Sequence, residues 1–217
     1  QYVVILSVYS NLTVSAGIVC VIPDISDNPC CESFIRVDSS EALLLDLSAD
    51  VPAENFTDEV IDRMGKFVEL AEGSGVALCH ENEKGIYGDM ADRCLDLLTV
   101  FPQLEGIFDL ANFIQCGQDT VEAWKLLRDR IKYLHIKDAL ENGKVVPAGK
   151  GVGYVRSILD DFRARGGAAV TIEPHLSVFA GLKDLEREGE KTQIDPFCYE
   201  SSDAAFDAAC DALKALL

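Results

Sequence analysis

The sequence predicts an α/β fold, a TIM (β/α)8 barrel whose front half is truncated or partly unobserved. Three observations predict it. Four hydrophobic runs, GVALCHENEKG, GIFDLANF, IKYLHIKDA and AAVTIEPHL, each end in a charged or coordinating group. Helix-like segments separate them, giving a strand–loop–helix repeat with its chemistry at the carboxyl ends of the strands. The strand starts near 76, 106, 131 and 168 are 30, 25 and 37 residues apart, the length of a strand–helix unit. Four such units make half of a barrel of about 250 residues, which leaves the first 75 residues too short for the other half. The expected organisation is a single domain over 1–217. Residues 1–50 are an irregular remnant of early strands, and 56–217 hold the regular βα units.

In the front part, YVVILSVY, GIVCVIP, FIRVD and ALLLDL read as short strands without amphipathic helices between them. NPCC marks a turn. The chain begins at Gln1, so a processed, trimmed or partly observed product is expected. From Phe56 a helix carries Val60, Ile61, Met64, Phe67, Val68 and Ala71 on one side, with Asn55 or Thr57 as its cap and Gly73 and Gly75 after it. Val76–His80 is an apolar strand covered on both faces. Asp89 is placed to cap a helix with Ala91, Cys94, Leu95 and Leu98 inward, closed by Pro102. Gly106–Asp109 is a strand, Asn112–Gly117 its loop. The next helix starts at Asp119 or Thr120, with Val121, Trp124 and Leu127 on one face and Leu126 beside them. Ile131–Ile136 is a strand, Asn142-Gly143 a turn, and Pro147–Gly153 a Gly-rich loop. A helix with Val155, Ile158, Leu159 and Phe162 ends at Gly166-Gly167, and Ala168–Glu173 is the last strand. A polar link, Leu182–Thr192, leads to a helix over 202–217 with Phe206, Ala209, Leu213 and Leu216 on one side.

Bulk properties narrow the function. With 48% hydrophobic residues the chain can bury a large core. A net charge of -18, from 37 acidic and 19 basic residues, argues against nucleic acid and anionic membranes as partners. Residues 1–23 carry no formal charge, but polar interruptions and the lack of a basic flank argue for buried strands rather than a membrane segment. The eight Cys include no CxxC, and several, such as Cys79 and Cys94, sit in apolar patterns. That pattern fits reduced thiols and a cytoplasmic location. Asn11-Leu-Thr and Asn55-Phe-Thr match the glycosylation sequon, a motif short enough to arise by chance.

The candidate chemistry lies at the four strand ends: Glu81 or Glu83, Asp109, His135 and Glu173. Neighbouring parallel strands lie about 5 Å apart, so these side chains can meet around one ion. Three carboxylates and an imidazole suit Mn, Mg, Co or Zn. The bland alternative is that strand-end acids cap the following helix or pair with lysine. His80 reads as structural or as a neighbour of the ligands, His175 as a substrate contact, and Lys137 and Asp138 as pocket groups or as partners of each other. A phosphate can bind the backbone N–H groups of Gly149–Gly153, although a plain turn is the simpler reading.

The segments HENEKGIYGD, IFDLANFIQCG, IKYLHIKDAL, VVPAGKG and TIEPHL resemble the sugar phosphate isomerase/epimerase family of xylose isomerase-like barrels. The resemblance covers roughly 56–215. It implies a divalent ion held by Glu81, Asp109, His135 and Glu173 after the fifth to eighth strands. FIRVDSS would be the fourth strand, GIVCVIP the third and YVVILSV part of an earlier one. It implies further that Glu81 and Glu173 are the catalytic acid–base pair, acting through an enediolate, and that His80, Asn112, Lys137 and His175 line the substrate. Asn112, Glu141 and Val152 stand where relatives often carry His, Arg and an acid, which leaves the particular sugar open. The function expected is a metal-dependent isomerase or epimerase of a ketose or polyol, with a homo-oligomer allowed. Alternatives are a dehydratase of a keto-inositol or keto-sugar, or a non-catalytic barrel. The repair nuclease of the same superfamily needs many more His than the three present.

Overall fold

The computed structural model describes residues 3–4, 20–23, 57–73, 76–84, 86–176, 197–199 and 201–217. The expectations for FIRVD, ALLLDL, NPCC and the Leu182–Thr192 link lie outside them. The strands are β1 (Val3–Val4), β2 (Cys20–Pro23), β3 (Val76–Glu81), β4 (Glu105–Asp109), β5 (Ile131–Ile136), β6 (Asp138–Ala139), β7 (Val145–Val146) and β8 (Ala169–Ile172). The α-helices are α1 (Thr57–Ala71), α2 (Ala91–Val100), α3 (Leu110–Gln115), α4 (Thr120–Leu127), α5 (Val155–Ala164) and α6 (Ser202–Lys214).

Six strands form one sheet in the order β1-β8-β5-β4-β3-β2. The pairs β3–β4, β4–β5, β5–β8 and β8–β1 are parallel. This is the β/α barrel order, and Val3–Val4 of the YVVILSV run lie beside the last strand. GIVCVIP departs from expectation. Its Cys20–Pro23 run lies against β3 and is antiparallel to it, where a third strand of the barrel would be parallel. A short apolar run carries no direction, because the side-chain alternation is the same either way.

The sheet has two unlike faces. Leu78, Phe108, Leu134, Ile136 and Val170 point outward into a core shared with Leu97, Leu98, Trp124, Leu127, Leu159 and Phe162 of the helices. Phe108 sits at its centre, 4.9 Å from the Phe113 ring and 5.2 Å, edge-on, from Trp124. Cutting so enclosed an aromatic to alanine costs about 3–5 kcal/mol. The inner face carries Ala77, Cys79, Ile107, Tyr133 and Ala169 as a small apolar floor. One or two residues further along each strand, the same face turns polar.

The register that aligns this polar layer depends on a bulge. Gly106 pairs with Ile131 but Ile107 pairs with Tyr133, so Lys132 is an extra residue in β5. Without it Asp109 would face Leu134, and His135 would fall on the wrong side; with it, Asp109 and His135 are register partners.

Several local expectations change. Asp119 and Ser201 cap α4 and α6 through their side chains. Asp89 does not cap α2: the cap is Met90, with no side-chain bond, and Asp89 instead pairs with Arg93 at 2.6 Å. The stretch read as a loop over Asn112–Gly117 is largely α3, begun by Asp109. On α6, Ala205, Ala209 and Leu213 are the buried residues, with Phe206 only half-buried. Leu126 is exposed. Arg130 closes the end of α2, donating to the carbonyls of Leu98 (2.6 Å), Pro102 (3.1 Å) and Leu104 (2.8 Å).

Candidate metal centre

Strand alternation puts Glu81, Asp109, His135 and Glu173 on the inner face at the carboxyl ends of β3, β4, β5 and β8. One possible ligand atom from each lies within 4.8 Å of the others. Glu81, Asp109 and His135 are almost fully buried. His135 Nδ1 is 2.7 Å from Glu81 Oε1, and Asp109 Oδ1 accepts the Asn112 N–H at 2.9 Å. The remaining atoms, Glu81 Oε2, His135 Nε2 and Asp109 Oδ2, are buried with no hydrogen-bond partner among the described residues. Asp109 Oδ2 has the Lys137 ammonium at 3.0 Å, but Glu81 Oε2 and His135 Nε2 have no such partner. Orphaned buried polar atoms are costly and uncommon, and beside two further carboxylates they form a donor set suited to a cation. The residues present therefore fit a divalent ion of the hard or borderline kind.

Lys137 stands on the same face of the strand path as His135. Its Nζ lies 3.0 Å from Asp109 Oδ2 and 2.8 Å from Glu173 Oε2. It pairs with these two acids and not with Asp138, the partner the sequence also allowed.

The charges set one another. Burial pushes the Asp109 carboxyl up to about 6 despite the Lys137 charge. Burial likewise lifts Glu83 to about 7, against the pull of Lys137. For His135, burial opposes the charged ring, but Glu81 and the other two acids outweigh it and raise the group to about 9. For Glu173, burial favours the acid form, yet Lys137, His175 and His135 hold it well below the usual carboxylate range. Burial, then the Lys137 charge, brings His175 down to about 4.

The other candidates divide. His175 has φ 45 and Nε2 3.8 Å from Glu173 Oε1, at the edge of the cluster. Glu83 accepts from Asn112 Nδ2 at 3.2 Å and from Lys84 N at 2.9 Å. Asn112 is buried, and its Nδ2 also donates to the Asn82 carbonyl at 2.9 Å, so it braces the 82–83 turn. His80 has the opposite parity to Glu81. Its ring faces Cys94 Sγ at 3.9 Å and fills the space where a Gly88 Cβ would stand, behind β3 and away from the cluster. Burial keeps it neutral, at about 4.

Two positioning groups were missed. Asn82 clamps the end of β4, accepting from Asp109 N at 2.8 Å and donating to Asp109 O at 2.9 Å. Asp138 fills the Gly-rich loop: it accepts from Gly149 N (3.0 Å), Gly151 N (2.9 Å), Gly153 N (2.9 Å) and Ala139 N (2.9 Å). These N–H groups are thus engaged by a residue of the chain, which removes the basis for a phosphate there. A Cβ on Gly151 or Gly153 would run into Asp138 Oδ1. The alternation of glycines at 149, 151 and 153 was the signal that could have revealed this nest.

Comparisons with known proteins agree with this fold. The chain is similar to L-ribulose 3-epimerase (17% identity, TM-score 0.59, covering 79% of this chain and 57% of that one). It is similar to the probable 3-DHS dehydratase AsbF of Bacillus anthracis (17%, 0.55, 77% and 58%). It is also similar to a xylose isomerase-like TIM barrel protein of Mycobacterium smegmatis in complex with magnesium (15%, 0.53, 78% and 53%). The chain thus spans between half and three fifths of the length of these structures. No functionally curated sequence matches it significantly. Among the described residues no helix is long and apolar enough to cross a membrane. The family described as Xylose isomerase-like TIM barrel matches residues 42–191, and the chain belongs to it.

Proposed function

We propose that the chain is a divalent-metal-dependent isomerase or epimerase of a ketose or related polyol. The observation that carries this is the convergence of Glu81, Asp109, His135 and Glu173, with Glu81 Oε2 and His135 Nε2 buried and left without hydrogen-bond partners among the described residues. These four residues would hold the ion. Bound there, a divalent ion supplies Lewis-acid polarisation of a carbonyl and an adjacent hydroxyl, which acidifies the neighbouring C–H. Glu81 and Glu173 come from well-separated strands of the same sheet, and as carboxylates they can take and return that proton on opposite faces of a small substrate. His135 orients Glu81 through the 2.7 Å contact. Neighbours named as an epimerase and as a probable dehydratase support a sugar-like substrate class in general terms.

Dehydration on the same scaffold is the second reading. It needs an acid beside the leaving hydroxyl, a role open to His175 at the edge of the cluster or to the Lys137 ammonium. The test is a panel of ketoses and keto-polyols incubated in D2O with Mn2+, Mg2+, Co2+ or Zn2+. Metal-dependent exchange of a carbon-bound hydrogen with no loss of water supports the proposal. Loss of water without epimer would instead support the dehydratase. Absence of either, with metal bound, would point to a non-catalytic barrel.

A further inference from the structure

Lys137 carries an inference that rests on reading the four side chains as a cation site. Its ammonium is buried, with side-chain exposure of 2%, and it touches two of the four carboxylate or imidazole groups. The atoms matter. Asp109 Oδ1 is committed to the Asn112 N–H at the start of α3, so Oδ2 is the oxygen that Asp109 offers to a cation. Oδ2 is also the oxygen 3.0 Å from Lys137 Nζ. Glu173 likewise meets Lys137 through Oε2 at 2.8 Å, while Oε1 faces His175 at 3.8 Å. An ammonium and a divalent ion drawing on the same Asp109 oxygen and the same Glu173 carboxylate repel each other, and in a buried site that repulsion is weakly screened.

We propose that Lys137 is an internal counter-cation that competes with the divalent ion for Asp109 Oδ2 and Glu173, and so sets the affinity of the site. Its place in the sequence suits this role. Alternation from Tyr133 through His135 brings Lys137 to the inner face, two residues past the imidazole. A flexible four-carbon stem lets the charge withdraw without a backbone shift, as a rigid guanidinium fork would not. The ammonium also neutralises the packed acids, so the site keeps its shape whether or not a metal is bound. A lysine that merely braces the carboxylates in coordinating geometry has the opposite consequence: its removal would weaken metal binding.

The experiment is calorimetric titration of the full chain with Mn2+, wild type against Lys137→Met. The expected result is binding about tenfold tighter or more in the variant, with a larger rise in Tm on adding Mn2+. Equal or weaker binding by folded Lys137→Met, with wild type binding Mn2+ normally, overturns the competition and leaves the cation site standing. Failure of both proteins to bind Mn2+, Mg2+, Co2+ or Zn2+ overturns the site and the competition together. Should Lys137→Met not fold, acetylation of wild-type Lys137 followed by mass spectrometry decides. Mn2+ should speed its modification several-fold as the ammonium leaves the carboxylates, and an unchanged or slower rate overturns the proposal.

Discussion

Asp109 and Asp138 are both fully buried acids near strand ends, yet their surroundings differ in kind. Asp138 accepts four backbone N–H bonds, and both of its oxygens are used. Asp109 has one oxygen bonded and the other held only by the charge of Lys137, beside orphaned atoms of Glu81 and His135. A buried acid satisfied by its own chain is a structural fastener; a cluster left unsatisfied is built to receive something else. Substitutions at the two places should therefore separate activity from stability.

The largest effect is expected at the unsatisfied cluster. Glu81→Gln should lower metal-dependent solvent exchange by about 1,000-fold or more, with a smaller loss of unfolding free energy than at Asp138, because the amide keeps a hydrogen bond to His135. Both are read on one preparation, by isotope exchange and by urea titration. Asp138→Asn should do the reverse. It swaps one accepting oxygen for a donor facing two N–H groups, costing about 2–3 kcal/mol of stability, with Mn2+ affinity kept within about threefold. If Asp138→Asn instead abolishes metal binding and spares stability, the contrast fails.

His80 sharpens the comparison from the other face of β3. Burial holds its folded pKa near 4 against an ordinary 6.5. The unfolded chain therefore takes up a proton first as pH falls. The contribution to stability is full above pH 6.5 and declines between 6.5 and 4, by about 3 kcal/mol in total. His80→Gln should remove that component of the pH dependence, seen as a flatter stability profile than wild type over this range. An unchanged slope would place the imidazole in contact with water. The smallest expected effect is at Arg130. Arg130→Lys loses the fork that bonds several carbonyls at once, and should cost about 1–2 kcal/mol in urea unfolding with no change in Mn2+ binding.

Much of this was legible in the residues. Apolar runs ending at Glu81, Asp109, His135 and Glu173 marked both the strands and the polar layer, because a charge that ends a buried strand needs a partner. The place of His80 just before Glu81 already suggested a structural imidazole. Three features were not legible. The bulge at Lys132 changes register without changing the local pattern, so nothing in IKYLHI announces it. The antiparallel course of Cys20–Pro23 leaves no trace in a run whose alternation reads alike in both directions. Helix α3 is six residues long, too short for a 3.6-residue period to show, and its Asn and Gln content reads as loop. Lys137 lies between these cases: its parity was readable, but its choice of Asp109 and Glu173 over Asp138 depends on the glycine loop having already enclosed Asp138.

If four separate strand ends deliver their side chains to one cation, an anomalous-scattering map from crystals soaked in Mn2+ will reveal it. A single strong peak is expected about 2.0–2.4 Å from one atom each of Glu81, Asp109, His135 and Glu173. A map with no peak there, or with the ion bound elsewhere while Lys137 stays on Asp109 and Glu173, would contradict it.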